Sequence, residues 1–94
     1  MINMGFIYAD YVTDTTTGSD QKHYFADGTT SFLAEEIEIH CTTATIVKFG
    51  DSTEEITVPA NAYKTFKQKC KWILYQQSAA PGTIQIWAEG NLNT

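Results

Sequence analysis

The residues able to do chemistry are few and scattered. His23 and His40 are the two histidines of the 94-residue chain. Neither sits in HxH or HExxH spacing or beside a CxxC pair, the patterns that bring ligands onto one metal ion. His40 directly precedes Cys41, but neighbouring residues of a strand point to opposite faces, so the two cannot readily hold one zinc ion. The segment Asp51-Ser52-Thr53-Glu54-Glu55 lacks the alternating Asp/Asn and the glycine of a calcium loop. Glu35, Glu36 and Glu38, with Asp10, Asp14 and Asp20, read as solvated carboxylates. The serines Ser19, Ser31, Ser52 and Ser78 all fall in or beside turn-forming stretches, and none has a nucleophile-elbow context with a base and an orienting group. Paired carboxylates for glycoside hydrolysis exist in any acidic chain, and their separation cannot be read from spacing. A chain this small also has little volume for a deep, water-excluding pocket. The expectation is therefore a protein with no catalytic residues, no metal and no cofactor.

Binding chemistry is better represented. Lys67, Lys69 and Lys71 alternate with Gln68 and Cys70, which on a strand puts all three ammonium groups on one side. That stripe reads either as a docking face for an acidic partner or as edge protection against sheet-to-sheet pairing. Glu36, Glu38, Glu54 and Glu55 could also pair across strands with it. Tyr8, Tyr11, Tyr24, Tyr63, Tyr75 and Trp87 are more large rings than one small core can take. Exposed Tyr and Trp anchor protein interfaces, and a sugar-stacking platform would use the same residues. The predicted partner interface is Phe6, Tyr8, Tyr11 and Trp87 together with Lys67, Lys69 and Lys71. Trp72 is assigned instead to the core, in step with Phe66, Cys70 and Leu74.

The elements that position these residues are strands. Glu36-Ile37-Glu38-Ile39-His40-Cys41 alternates strictly, with Ile37, Ile39 and Cys41 on the buried face. Thr45–Phe49 and Glu54–Val58 flank a turn at Gly50-Asp51-Ser52 and read as a hairpin. Pro59-Ala60-Asn61-Ala62 breaks the ladder, because proline has no N–H to donate. The longest predicted element follows and carries the lysine stripe through to Ile73 and Tyr75. Thr83–Glu89 closes the pattern with Ile84, Ile86 and Ala88 together, Gln85 and Trp87 opposite, and an end at Gly90. Phe6–Val12 is strand-like, Thr13–Asp20 reads as a loop, and Asp27-Gly28 is a turn signal between Lys22–Phe25 and Ser31–Ala34. The whole predicts an all-β chain, one antiparallel β-sandwich or jelly-roll-like domain over residues 1–94, with seven to eight short strands. Residues 1–35 carry the weaker pattern and could serve as an arm or partner-contacting segment.

Composition narrows the partners. Six lysines, no arginine and eleven acidic residues give a net charge of −5. That balance opposes phosphate backbones and excludes nucleic acid as the expected partner. No stretch approaches the ~20 apolar residues that span a bilayer, and the N-terminus lacks a basic segment leading into an apolar run. Folding in a cytoplasm, with Cys41 and Cys70 as buried free thiols, is the simplest expectation. The charged fraction of 18% is below the roughly 25% of soluble domains, which leaves more surface able to meet another protein.

The C-terminal half carries a family likeness. Ile56-Thr57-Val58-Pro59-Ala60-Asn61-Ala62, then Trp72-Ile73, then Gly82-Thr83-Ile84-Gln85-Ile86-Trp87-Ala88-Glu89-Gly90 resembles small β-sandwich virion proteins of tailed bacteriophages. Those show a strand, a Val-Pro-Ala-Gly type corner, a Gly-Thr turn and a closing strand ending in W-x-x-G. Asn61 stands where that pattern usually has glycine, and the N-terminal half has no such match. The resemblance implies a non-enzymatic virion protein, made in the host cytoplasm. The expected role is capsid decoration or cement, stabilising the shell through subunit contacts as a homo-oligomer. A head–tail connector, tail or spike-base component is the alternative within that class. Its partners would be the major capsid protein or tail and connector proteins, with no membrane involved. A carbohydrate-binding β-sandwich module is the alternative from another class.

Overall fold

The computed structural model describes residues 6–28 and 32–92, with the side chains of residues 6–9, 27, 28, 91 and 92 outside the description. Among the described residues there are eight strands: β1 (Phe6–Thr15), β2 (Gln21–Tyr24), β3 (Phe32–Cys41), β4 (Thr45–Phe49), β5 (Ile56–Val58), β6 (Tyr63–Phe66), β7 (Trp72–Gln77) and β8 (Thr83–Leu92). They form two four-stranded antiparallel sheets, ordered β1-β8-β3-β6 (sheet A) and β2-β7-β4-β5 (sheet B). The chain passes from one sheet to the other between most successive strands. This is the two-sheet jelly-roll arrangement, and the all-β expectation holds.

The core lies between the sheets and follows the alternation of the sequence. Ile37, Ile39 and Cys41 from β3 and Ile84, Ile86 and Ala88 from β8 are buried from one side; Val47, Phe49, Val58, Ile73 and Tyr75 meet them from the other. Outward residues of the same strands are exposed or half-buried, as a sheet with one solvated face requires. The β4–β5 hairpin forms with Thr45 opposite Val58, and its loop covers residues 50–55.

Four local expectations need correction. First, residues 63–75 are not one strand. β6 ends at Phe66 in sheet A, residues 67–71 cross between the sheets, and β7 restarts at Trp72 in sheet B. A single bridge, Ala34 to Cys70, pins the crossing. The inward parity resets there, so Ile73 and Tyr75 are buried while Trp72 and Leu74 face outward and are half-buried. Trp72 is therefore not a core residue; Lys22 Nζ sits 4.7 Å from the Trp72 ring and 4.7 Å from that of Tyr24. Second, β1 continues through Asp14 and Thr15 before the loop begins. Third, the strand ends at Tyr24 and not at Phe25, which instead begins a short 3-10 turn over residues 25–28, at the signalled Asp27-Gly28, that carries the chain out of sheet B. Fourth, β8 runs through Gly90 to Leu92.

Gly90 lies opposite a bulge. The register of β3 against β8 shifts between Ala34 and Glu36, leaving Glu35 as the extra residue opposite Gly90 and Glu89. The β3 backbone comes so close that a Cβ on Gly90 would overlap the Leu33 carbonyl oxygen. Glycine there serves close backbone approach, one of its recognised uses in strands. The corner after β5 resolves another point: Asn61 has φ 59°, in the left-handed region that glycine occupies freely and asparagine tolerates. Its N–H donates to the Cys41 carbonyl at 2.7 Å, so asparagine meets the backbone demand that the likeness assigns to glycine.

Candidate functional site

The outer face of sheet A gathers aromatic and polar side chains into one groove. Tyr11 of β1 stands opposite Trp87 of β8, which stands opposite Glu38 of β3 and then Thr65 of β6. The neighbouring row reads Thr13, Gln85, His40 and Tyr63. Period two along each strand places both rows on the same solvent-facing side. Tyr11, Glu38, His40, Tyr63, Gln85 and Trp87 line a shallow cleft. Tyr11 is 53%, Trp87 43% and Tyr63 69% exposed, far more than an aromatic ring that serves only a core. The Tyr11 and Trp87 rings lie 6.2 Å apart, tilted by 55°, and the His40 and Tyr63 rings lie 4.5 Å apart at 31°. Thr13 Oγ1 donates to the Tyr11 hydroxyl at 3.0 Å, and Thr65 Oγ1 donates to Glu38 Oε2 at 3.5 Å.

Tyr11 and Trp87 come together on this face. Phe6 and Tyr8 lie in β1, their backbones opposite Leu92 and Gly90, but their side chains fall outside the described residues. Lys67, Lys69 and Lys71 are all exposed, on the crossing segment instead of a strand. None of the three lines the aromatic cleft; Lys69 and Lys71 border a separate hollow with Phe49, Gly50 and Trp72. The lysine stripe and the aromatic pair are thus two surfaces. Glu38, His40, Tyr63 and Gln85 complete the cleft and were not predicted as site residues. The signal that finds them is cross-strand register, which a single sequence does not contain.

A second polar cluster lies along the seam between the sheets, where β1 turns Asp10 and Asp14 inward. Asp10 Oδ2 accepts from His23 Nε2 at 2.8 Å and from the Ala26 N–H at 3.1 Å. Asp14 Oδ2 accepts from the Tyr75 hydroxyl at 2.5 Å and from Gln21 Nε2 at 3.1 Å. These carboxylates are bound, not solvated as expected. Burial first, and the adjacent Asp14 carboxylate second, push the Tyr75 hydroxyl well above its usual range. The cluster is internally satisfied, as half-buried polar groups require, and it ties β1 to the opposite sheet.

Among the described residues, no group of three His, Cys, Asp or Glu is placed to hold a metal ion. His40 faces outward and Cys41 is buried on the inner side. Cys41 and Cys70 are unbridged and buried. Burial raises both thiols, Cys70 to about 11, opposite to the direction that activates a nucleophile. Among the described residues no helix is long and apolar enough to cross a membrane.

Comparison with known proteins places the fold and not the family. No family model matches the sequence, and no curated protein matches it. Solved structures do match. A subunit of disulfide-linked pili from Bacillus endospore appendages aligns with a TM-score of 0.56 at 16% identity, covering 96% of this chain and 92% of that one. A de novo designed double-stranded β-helix aligns at 0.51 and 15% identity, covering 87% and 97%. An HTH_3 family transcriptional regulator from Vibrio cholerae aligns at 0.56 and 14%, covering 85% of this chain, which spans only 42% of that protein. At such identities the likeness is one of fold alone. The same architecture serves capsids, lectins and cupins, so function has to be argued from the surface.

Proposed function

We propose that this chain is a non-enzymatic structural subunit of a tailed-phage virion, a capsid decoration protein that stabilises the shell through subunit contacts. The observation that carries this reading is the β1 edge. β1 is ten residues long and pairs with β8 along one side only, leaving the backbone groups of its other side as a template for strand addition. The other three edges are short or guarded. β6 has four residues and includes Lys64, β5 has three and runs into Pro59, and β2 has four and includes Lys22. Lysine and proline are the usual means of blunting an edge; β1 contains neither. Its inward carboxylates are bound to the opposite sheet. Pairing through this edge would build an oligomer, and Lys67, Lys69 and Lys71 would supply a separate contact to an acidic shell. The virion likeness of residues 56–90 and the near full-length likeness in fold to a subunit of disulfide-linked pili support the same kind of role.

The test is binding to particles. The purified protein is expected to self-associate in sedimentation and to co-sediment with capsids. Thr15→Lys, which places a charge on the exposed face of the β1 edge, should weaken self-association at least tenfold without lowering the melting temperature by more than a few degrees. A protein that stays monomeric at millimolar concentration and ignores capsids would end the proposal. Mass spectrometry of particles separates shell-wide copy numbers from the few copies of a connector or tail component.

A further inference from the structure

The cleft on the outer face of sheet A reaches the β1 edge only through Tyr11, and it is built like a ligand site. We infer that it binds a neutral oligosaccharide. Its centre is a square of four side chains on the two inner strands: Trp87 and Gln85 on β8, with Glu38 and His40 facing them on β3. Tyr11 extends the square beside Trp87 and Tyr63 extends it beside His40. Two aromatic pairs therefore stand at opposite corners with a carboxylate and an amide between them. Tyr11 and Tyr63 are on the two edge strands, three strand spacings or about 14 Å apart. That span suits several linked rings better than a single one.

The chemistry of the lining selects among occupants. Exposed aromatic faces take either stacked bases or the C–H faces of sugars, because both present a flat partner to the electron-rich ring. Binding of single-stranded nucleic acid also needs a basic groove along the backbone. Here Glu38 lines the cleft, Glu36 and Glu89 face each other one row away, and no lysine is in the lining. Phosphate and other anionic ligands are repelled. A protein partner prefers a charge-depleted apolar centre, whereas here a carboxylate sits in the middle. Hydroxyl groups, which both donate and accept, match what remains. The Glu38 carboxylate accepts, the Gln85 amide does both, and the Trp87 indole N–H and Tyr63 phenol donate. Among the described residues the side chains of Gln85, Trp87 and Tyr63 have no hydrogen-bond partner, so none must be broken to receive a ligand. The inner strands are paired on both sides, and such a rigid base lowers the ordering cost of binding.

The experiment is affinity electrophoresis against a panel of neutral polysaccharides (xyloglucan, galactomannan, mixed-linkage β-glucan and dextran) with heparin as the anionic comparison. Calorimetry with a hexasaccharide of the retained type follows. At least one neutral polymer should retard the protein, and heparin should not. Trp87→Ala and Tyr63→Ala should each raise Kd at least tenfold with an unchanged melting temperature, and Trp87→Phe, which keeps a ring, should stay within a few-fold of wild type. Retardation by none of the neutral polymers overturns the inference. So does equal retention of Trp87→Ala and Tyr63→Ala, or heparin binding as strong as neutral binding. Loss of self-association in Trp87→Ala with no sugar retained by the wild type would also overturn it, identifying the cleft as a protein contact. The β1 variant Thr15→Lys separates the two readings, since Thr15 stands opposite Thr83, two rows from the Tyr11–Trp87 pair, and is not among the residues lining the cleft.

Discussion

Replacing Gly90 with alanine should be the most damaging single-methyl change on the sheet A side. Gly90 is buried in β8 opposite the β3 bulge. An added Cβ would lie 2.8 Å from the Leu33 carbonyl carbon and 2.9 Å from Ala34 Cα, where ordinary contact begins at 3.4 Å, and it would overlap the Leu33 carbonyl oxygen outright. The neighbours are backbone, so no side chain can swing aside; β3 itself has to move by more than half an ångström. Overpacking of that kind costs about 1–3 kcal/mol, and a ladder hydrogen bond stretched past its range adds about 1 kcal/mol. A total near 3 kcal/mol is a large part of the roughly 5–15 kcal/mol that holds a small domain together. For a chain of this size it corresponds to a fall in melting temperature on the order of 10–25 °C. Urea unfolding followed by tryptophan fluorescence, with thermal circular dichroism alongside, measures it. The midpoint should fall at an unchanged slope, because the surface exposed on unfolding is the same. Gly18→Ala is the control: its Cβ would meet only Gln77 Nε2 at 3.9 Å, and its stability should stay within about 1 kcal/mol of wild type. A Gly90→Ala protein that melts within about 3 °C of wild type would refute the close-approach account of the bulge.

The remaining predictions concern the seam, the thiols and the corner. Tyr75→Phe removes the hydrogen bond to Asp14 and should cost about 1.5–3 kcal/mol at pH 7, since the acceptor is charged. Because folding raises the Tyr75 hydroxyl above its reference value of 10.0, the unfolded chain loses that proton first, so its contribution is complete below pH 10 and is lost as pH rises beyond it. Chemical denaturation at pH 8 and pH 11 should show a larger alkaline loss in wild type than in Tyr75→Phe. Cys41 and Cys70 should ignore a thiol reagent at pH 7 in the native protein and both react in denaturant, because burial and thiols raised above their usual range leave little thiolate; fast labelling of the folded chain would contradict their burial. Asn61→Val should cost about 1–2 kcal/mol by forcing a β-branched residue to positive φ, while Asn61→Gly should be close to neutral; melting curves of the two variants compare them directly.

Much of the core was legible because β8 keeps one period from Ile84 to Ala88 and β3 keeps one from Ile37 onward, past its bulge. Ile37, Ile39 and Cys41, and likewise Ile84, Ile86 and Ala88, are buried as their alternation predicts. The failure at residues 63–75 has a specific cause. Residues 67–71 stay extended enough to bury Cys70 while leaving Lys67, Lys69 and Lys71 exposed, so the pattern runs on across a segment that belongs to neither sheet. Parity carried from Phe66 then assigns the wrong face to Trp72, Ile73, Leu74 and Tyr75. Asp10 and Asp14 were hidden for another reason: their partners His23, Ala26, Gln21 and Tyr75 lie between 7 and 61 residues away. The cleft was half visible, since Trp87 fell opposite the isoleucines and Tyr11 was in surplus. Joining them to Glu38, His40, Tyr63 and Gln85 requires knowing which strands are neighbours.

That neighbourhood has a temporal side. β8, the last strand among the described residues, lies between β1 and β3 in the middle of its sheet. On a ribosome, the first and third strands therefore wait beside an empty slot until residues 83–92 emerge. Closing contacts over nearly the whole sequence is slow relative to local pairing. A nascent fragment ending before Thr83 therefore carries two unmatched strand edges, a substrate for chaperones or for clumping.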